Sequence, residues 1–329
     1  MRPFLPSCLI TVLALVLSFL WAGWQGLIVC GLLMVMEISF SFDNAVVNAS
    51  VMHGMSVKWQ RRFLTWGMLI ATFGMYYLFP IIIVSAATGL NIAEATHLAI
   101  ASPEIYSRHL MNSHAQIASF GGMFLLMVFL HFILDESKKL HWLGAAEKAL
   151  SRLGKLESVE ILIALLLLLL LQSFLPQTAR LPTVAAGTVG VMLYVFINSL
   201  TALFGFEKRH AAAGRSALMR FIYLNILDAS FSLDAVVGSF AISTDIVLIM
   251  LGLSAGAMFV RSLTIQLVDK GTLKQYIFLE HGAHYAIGAL AAIMLISIVA
   301  PIPEAIPGLV GIFFILASFL SSVRHNRQK

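Results

Sequence analysis

Hydrophobic residues in this chain gather in long windows joined by short polar or basic segments, and few polar positions interrupt the windows. Crossing a bilayer takes about 20 mainly apolar residues. Ten windows approach that length, at 4–22, 26–52, 63–88, 117–135, 159–175, 183–205, 218–242, 246–268, 276–299 and 308–323. The pattern predicts an all-α membrane protein of about ten transmembrane helices. The fifth window is the purest, with leucine at every position from Leu165 to Leu171, and carries no chemistry. It belongs at the periphery, against lipid. The first window follows Arg2 and has the look of a secretory leader, but Trp21-Ala22-Gly23-Trp24 is a poor small-residue cleavage site. It reads as a retained first span.

The joints test this parsing. Lys and Arg collect in cytoplasmic loops. Of the 21 Lys and Arg, 18 fall before the first window or after the second, fourth, sixth, eighth and tenth. Only Arg108 and Arg180 fall on the opposite side, and Arg261 lies within the eighth window. That alternation predicts a multi-pass protein of the inner (plasma) membrane with both termini cytoplasmic. Residues 89–116 form a polar outer loop with His97, His109 and His114. Residues 136–158 are basic and amphipathic, with Leu140, Trp142, Leu143, Leu150 and Leu153 apolar, and predict a helix lying on the inner leaflet. No Pro-rich or Gly/Ser-rich linker divides the chain, so 1–329 reads as a single membrane domain.

Composition agrees. Hydrophobic residues make up 60% and charged residues 11%, against about 45–50% and about 25% in soluble domains. So little charge cannot cover a globular surface, and lipid is the partner the exterior requires. The net charge of +5 lies in the membrane-flanking loops, with no basic stripe interleaved with aromatics, which sets nucleic acid aside. Cys8 and Cys30 sit in apolar windows without CxxC spacing, which argues against a disulfide framework or a thiolate metal site.

The chemistry lies in a repeated string. The second window holds Glu37-Ile-Ser-Phe-Ser41-Phe-Asp43-Asn44-Ala-Val-Val-Asn48. The seventh holds Asp228-Ala-Ser-Phe-Ser232-Leu-Asp234-Ala-Val-Val-Gly-Ser. Both read acid, any residue, Ser, Phe, Ser, large apolar, Asp. The likeness extends outward, with Trp66-Gly67-Met68 echoed by Ala255-Gly256-Ala257, and Gly121-Gly122 by Gly282-Ala283. The repeats cover approximately 26–135 and 218–299. They are five windows apart, an odd number, so the two copies have inverted topology. Inverted repeats in secondary transporters place the substrate site near the midplane, where the copies meet.

Each charged carboxylate at the bilayer centre costs about 2.5–3.5 kcal/mol on insertion scales. Glu37, Asp43, Asp228 and Asp234 must therefore face a polar interior, be protonated or hold a cation. The structural alternative is protonated carboxyls bonded to Ser39, Ser41, Ser230 and Ser232, cementing helix contacts. If the antiparallel motifs cross at Phe40 and Phe231, Glu37 comes level with Asp234 and Asp43 with Asp228. The oxygens of Ser41, Ser232, Asn44 and Asn48 lie near such pairs. Oxygen-only ligands suit hard divalent cations.

At these residues the sequence resembles the TerC superfamily of membrane proteins, in a branch without assigned function. The likeness rests on EISFSFDNAVVNA, LDASFSLDAVVGSFA, GAMFVRSLT and LEHGAHYAIGAL, together with FLTWGMLIATFGM and FGGMFLL, and covers roughly residues 30–300. The resemblance implies metal-ion transport, with manganese or calcium export leading, and a link to tellurite resistance. It carries the acidic positions onto Glu37, Asp43, Asn44, Asp228 and Asp234. The second copy departs by having Ala235 where the first has Asn44.

Arg261 either neutralises one of the acids or snorkels to the inner interface. Glu280, His281 and His284 open the ninth window. They form either a point where metal enters or interfacial histidines with backbone or lipid partners. Their order is not the HExxH of zinc proteases. The expected function is secondary transport of a divalent cation such as manganese or calcium, with that ion as substrate and no cofactor. No ATP-binding P-loop is present. The alternatives are a membrane scaffold or metal-stress sensor that binds without transporting, and a membrane metalloenzyme built on Glu280, His281 and His284.

Overall fold

The computed structural model describes residues 4–329 apart from 54, 68–69, 139, 157, 204–212, 270–274, 304 and 328–329. At some helical positions, Asp43 and Asp234 among them, only the backbone is described. Regular structure among the described residues is entirely helical. In chain order it runs α1 (Leu5–Phe40), α2 (Phe42–His53), α3 (Val57–Arg62), two π-helical stretches (Phe63–Gly67 and Ile70–Leu78), α4 (Phe79–Thr88), α5 (Ile92–Ala101) and α6 (Pro103–Asn112). It continues with α7 (His114–Leu134), α8 (Ala145–Ser151), a 3₁₀ turn (Arg152–Lys155), α9 (Val159–Gln172), α10 (Gln177–Leu203), α11 (Ala213–Ile242), α12 (Ile246–Asp269), α13 (Leu279–Ser297) and α14 (Ala305–Arg327).

Seven of these helices are long and apolar enough to cross a membrane. The difference from ten windows has three sources. The first two windows share α1, which leaves helical geometry at Ala22 and Gly23, where Gly23 takes φ +61° and ψ −147°. Only glycine enters that region without strain. There the chain doubles back. On a straight helix Thr11 and Met34 would be about 34 Å apart, yet the Thr11 hydroxyl contacts the Met34 sulfur at 3.8 Å. Ala14 and Cys30 share one apolar cluster. The third window is π-helical before it becomes α4, and the fifth yields only the 14 residues of α9.

Residues 89–116 are more ordered than their polarity suggests. Asn91 and Glu94 form a reciprocal capping box that starts α5, and Pro103 opens α6. In the amphipathic segment 136–158, helix among the described residues before α9 is confined to α8 and the 3₁₀ turn. Its Leu143, Leu150 and Leu153 are exposed, as a lipid-facing surface requires.

The chain forms two compact units, each drawn from both halves of the sequence. One contains Met1–His114 and Ala212–Gly271, the other Ala115–Ala211 and Thr272–Lys329. They are therefore not successive domains along the chain.

In the first unit, α12 packs along α1. Lipid gives helices no hydrophobic reason to associate, so close backbone approach through small residues matters. Gly252 and Gly256 supply it. A Cβ on Gly252 would stand 2.5 Å from Leu33 Cβ, and one on Gly256 would stand 2.6 Å from Glu37 Cβ. At the hairpin tip, the Trp21 indole donates to Asp245 Oδ2 at 2.9 Å, while Asp245 Oδ1 accepts from the Val247 amide and starts α12. In the second unit, α7 and α13 run antiparallel. Gly122 lies against Leu295, and Gly288 against Phe129.

Candidate cation site

Two polar stripes meet inside the first unit. Glu37 near the end of α1, Ser41 at the break that follows it, and Asn44 and Asn48 on α2 recur at a four-three-four spacing, and all four are buried. On α11, Asn225, Asp228 and Ser232 share a helix face by their spacing. The stripes touch where Asn48 Nδ2 donates to Asp228 Oδ1 at 3.2 Å.

Glu37 is 1% exposed. Its Oε1 accepts from the Ser41 hydroxyl at 2.8 Å and from the Tyr76 hydroxyl at 3.0 Å. Tyr76 is itself buried, rises from the second π-helical stretch and also interacts with Ser232. Gly256 closes the other side of the side chain. Glu37 Oε2 has no hydrogen-bond partner among the described residues. The carboxyl is thus positioned through one oxygen and open at the other.

Asp228 is held differently. Its Oδ2 accepts from Arg261 Nη2 at 2.8 Å. The same guanidinium donates to the Phe63 and Gly67 carbonyls, both at 3.0 Å, and lies 5.0 Å from the Phe63 ring centre. Arg261 is 4% exposed, so it does not snorkel to an interface. Asp228 and Arg261 both lie within electrostatic reach of Glu37. Equivalent acids of the two copies therefore meet unlike donors, each from the span that follows its motif. Glu37 receives a neutral phenol and Asp228 a fixed cation.

Three further buried acceptors have no partner among the described residues: Asn44 Oδ1, Asn48 Oδ1 and Asn225 Oδ1. A buried polar atom left unpaired costs about 1–3 kcal/mol, so four such oxygens in one core call for a cation or water. The helix breaks at Ser41, so Glu37 stands at the end of α1 while Asn44 and Asn48 lie on α2, about one turn apart. They form a track of oxygens, not one cage. Among the described residues no group of three or more His, Cys, Asp or Glu side chains gathers as a metal site. The side chains of Asp43 and Asp234 lie outside the described residues, and with them the pairs Glu37–Asp234 and Asp43–Asp228.

Two participants escape the sequence reading. Asn225 stands one turn before Asp228, so helical spacing alone could have found it. Tyr76 is one tyrosine in an apolar window and has no such signal.

In the second unit, Glu280 is exposed and its carboxyl does not join the histidines. His281 Nε2 lies 3.0 Å from the Leu140 carbonyl and 3.6 Å from Glu147 Oε1. His284 Nδ1 lies 2.8 Å from the Glu280 carbonyl, and its ring stacks on Phe132. Both histidines thus have backbone partners. They border a buried ion pair, Lys138 Nζ to Glu147 Oε1 at 2.5 Å, in which Glu147 Oε2 also accepts from the Leu143 amide. Burial alone would raise the Glu147 pKa, but Lys138, the Leu143 amide and His281 outweigh it and hold the carboxyl below its ordinary value.

No curated protein and no solved structure matches this chain. A family model described as a protein of unknown function, DUF475, matches residues 42–329, a stretch that includes Asn44, Asn48, Asp228 and Arg261 and begins just after Glu37. The chain belongs to the DUF475 family.

Proposed function

We propose that this protein is a secondary transporter that exports a divalent metal cation such as manganese or calcium, in exchange for protons, along the buried oxygens of its two acidic motifs. The observation that carries the reading is a group of four buried oxygens at and beside the motifs without partners among the described residues: Glu37 Oε2, Asn44 Oδ1, Asn48 Oδ1 and Asn225 Oδ1. All are oxygen, which selects hard cations over soft ones. They line a track, as passage requires, where a structural site would be a closed cage.

The resemblance of both motifs to the TerC superfamily supports the same substrate class. Inverted repeats support alternating access, and the antiparallel packing of α7 on α13 is the arrangement such repeats would produce. In this reading α1 supplies two crossings, Phe63–Thr88 and α9 one each, and the total is ten with both termini in the cytoplasm.

The Arg261–Asp228 pair favours a second reading, in which the acids bind and cement without transport. Flux separates the two. Proteoliposomes holding the wild-type protein should take up manganese down an imposed gradient, and E37Q should reduce uptake to the level of empty vesicles while remaining folded in the membrane. Wild-type uptake by E37Q would sink the transport assignment.

A further inference from the structure

Glu37 and Asp228 occupy matching positions in the two motif copies, yet among the described residues only Glu37 of the two keeps an open oxygen. At Asp228, three oxygens converge on the Arg261 guanidinium. They are Asp228 Oδ2 at 2.8 Å and the Phe63 and Gly67 carbonyls at 3.0 Å. A carboxylate with two backbone carbonyls is the kind of ligand set that holds a hard divalent ion. A fourth oxygen stands beside it. Asn225 Oδ1 is buried without a partner, and a Cβ on Gly67 would lie 3.1 Å from that oxygen and 3.3 Å from Arg261 Nη1.

We infer that Arg261 is a tethered cation filling the second of two equivalent cation seats, so that Glu37 is the open seat of the pair. The inference rests on the cation reading proposed above. A guanidinium keeps its charge at any physiological pH, so protons cannot clear this seat; only movement of the side chain can. The seat is largely buried, with the Arg261 side chain 5% and the Asp228 side chain 13% exposed, and an ion pair so placed resists displacement more than one at a surface. The backbone supplying its carbonyls, Phe63–Gly67, is π-helical, a geometry that recurs at functional sites. Arg261 therefore reproduces the loaded state of the second motif without an ion, and the two copies differ in occupancy while sharing a sequence pattern.

The test counts manganese bound by the full-length protein in lipid nanodiscs, using equilibrium dialysis. R261Q should bind one more ion than wild type, because glutamine removes the charge that fills the seat while leaving Asp228 and the two carbonyls as ligands. E37Q should bind one fewer, and E37Q/R261Q should return to the wild-type count, its ion now on Asp228. An equal count in wild type and a monodisperse R261Q would overturn the inference and leave the transport reading standing. A wild type that binds no manganese would overturn the transport reading and this inference with it. The manganese-loaded structure of the wild type decides the matter even if R261Q fails to fold. The inference expects an ion on Glu37 Oε2 with Arg261 still on Asp228, and an ion ligated by Asp228 would refute it.

Discussion

Glu147 shows what one charged residue can hold in place. It is fully buried, against Lys138, the Leu143 amide and His281, and fastens the segment after α7 to the start of α13. Its carboxyl gives up its proton more readily folded than unfolded. The contribution is therefore present above the ordinary carboxylate range and is lost as pH falls through the lower folded value. Protection of the amides over residues 136–156, measured against their intrinsic exchange rates, should be high at neutral pH and fall away only once the pH drops below the ordinary carboxylate range. E147Q strands the Lys138 charge, at a cost of about 3–5 kcal/mol for a broken buried pair. Its segment should exchange fast already at neutral pH, and slow exchange in E147Q would show that the pair does not fasten it. Sequence reading passes over Glu147 because it is a lone acid among basic neighbours in an amphipathic joint. Glu37 and Asp228 announce themselves because a carboxylate in an apolar window needs an explanation. Conspicuousness in sequence follows contrast with the neighbours, not importance in the fold.

Among the elements of the first unit, α12 fits closely against α1. Gly256 meets the Glu37 side chain and the Met34 carbonyl, and an added Cβ would stand within 2.8 Å of both. G256A must push α12 away from α1, and overpacking of this kind costs about 1–3 kcal/mol. Gly31, on the same hairpin, has nothing within 4 Å of where its Cβ would be. Thermal unfolding in detergent should show a clear loss for G256A and almost none for G31A; equal behaviour would mean that the close approach is not what holds the helices. Windows of hydrophobicity mark where most long helices lie, because lipid imposes length and apolarity together. They do not reveal the π-helical backbone at Phe63–Gly67 and Ile70–Leu78. That geometry depends on hydrogen bonds made to other elements, such as those Arg261 gives to Phe63 and Gly67. Nor do they reveal α5 and α6, whose capping box and proline start short helices in a stretch that polarity alone marks as loop.

For the whole molecule, the distribution of basic residues makes the sharpest claim. With 18 of 21 Lys and Arg in alternate joints, reporter fusions at Ile100 and Ala145 should lie on opposite sides of the membrane; the same side for both would undo the parsing. Each half of the chain contributes to both compact units, an interleaving that no local pattern announces, because it depends on which helices pack after insertion. The hairpin at Gly23 bears on how that assembly begins. A straight α1 would measure about 54 Å, and a hydrocarbon layer is only about 30 Å thick. Folded at Gly23, its limbs are about 27 Å each and can enter lipid together, as a pair, during synthesis. The membrane side from which the first motif departs is thus settled once Phe40 has been made, more than two hundred residues before the ribosome reaches Arg261. The open seat is made first, and Asp228 gains its cation only when α12, which carries Arg261 thirty-three residues further on, packs beside it.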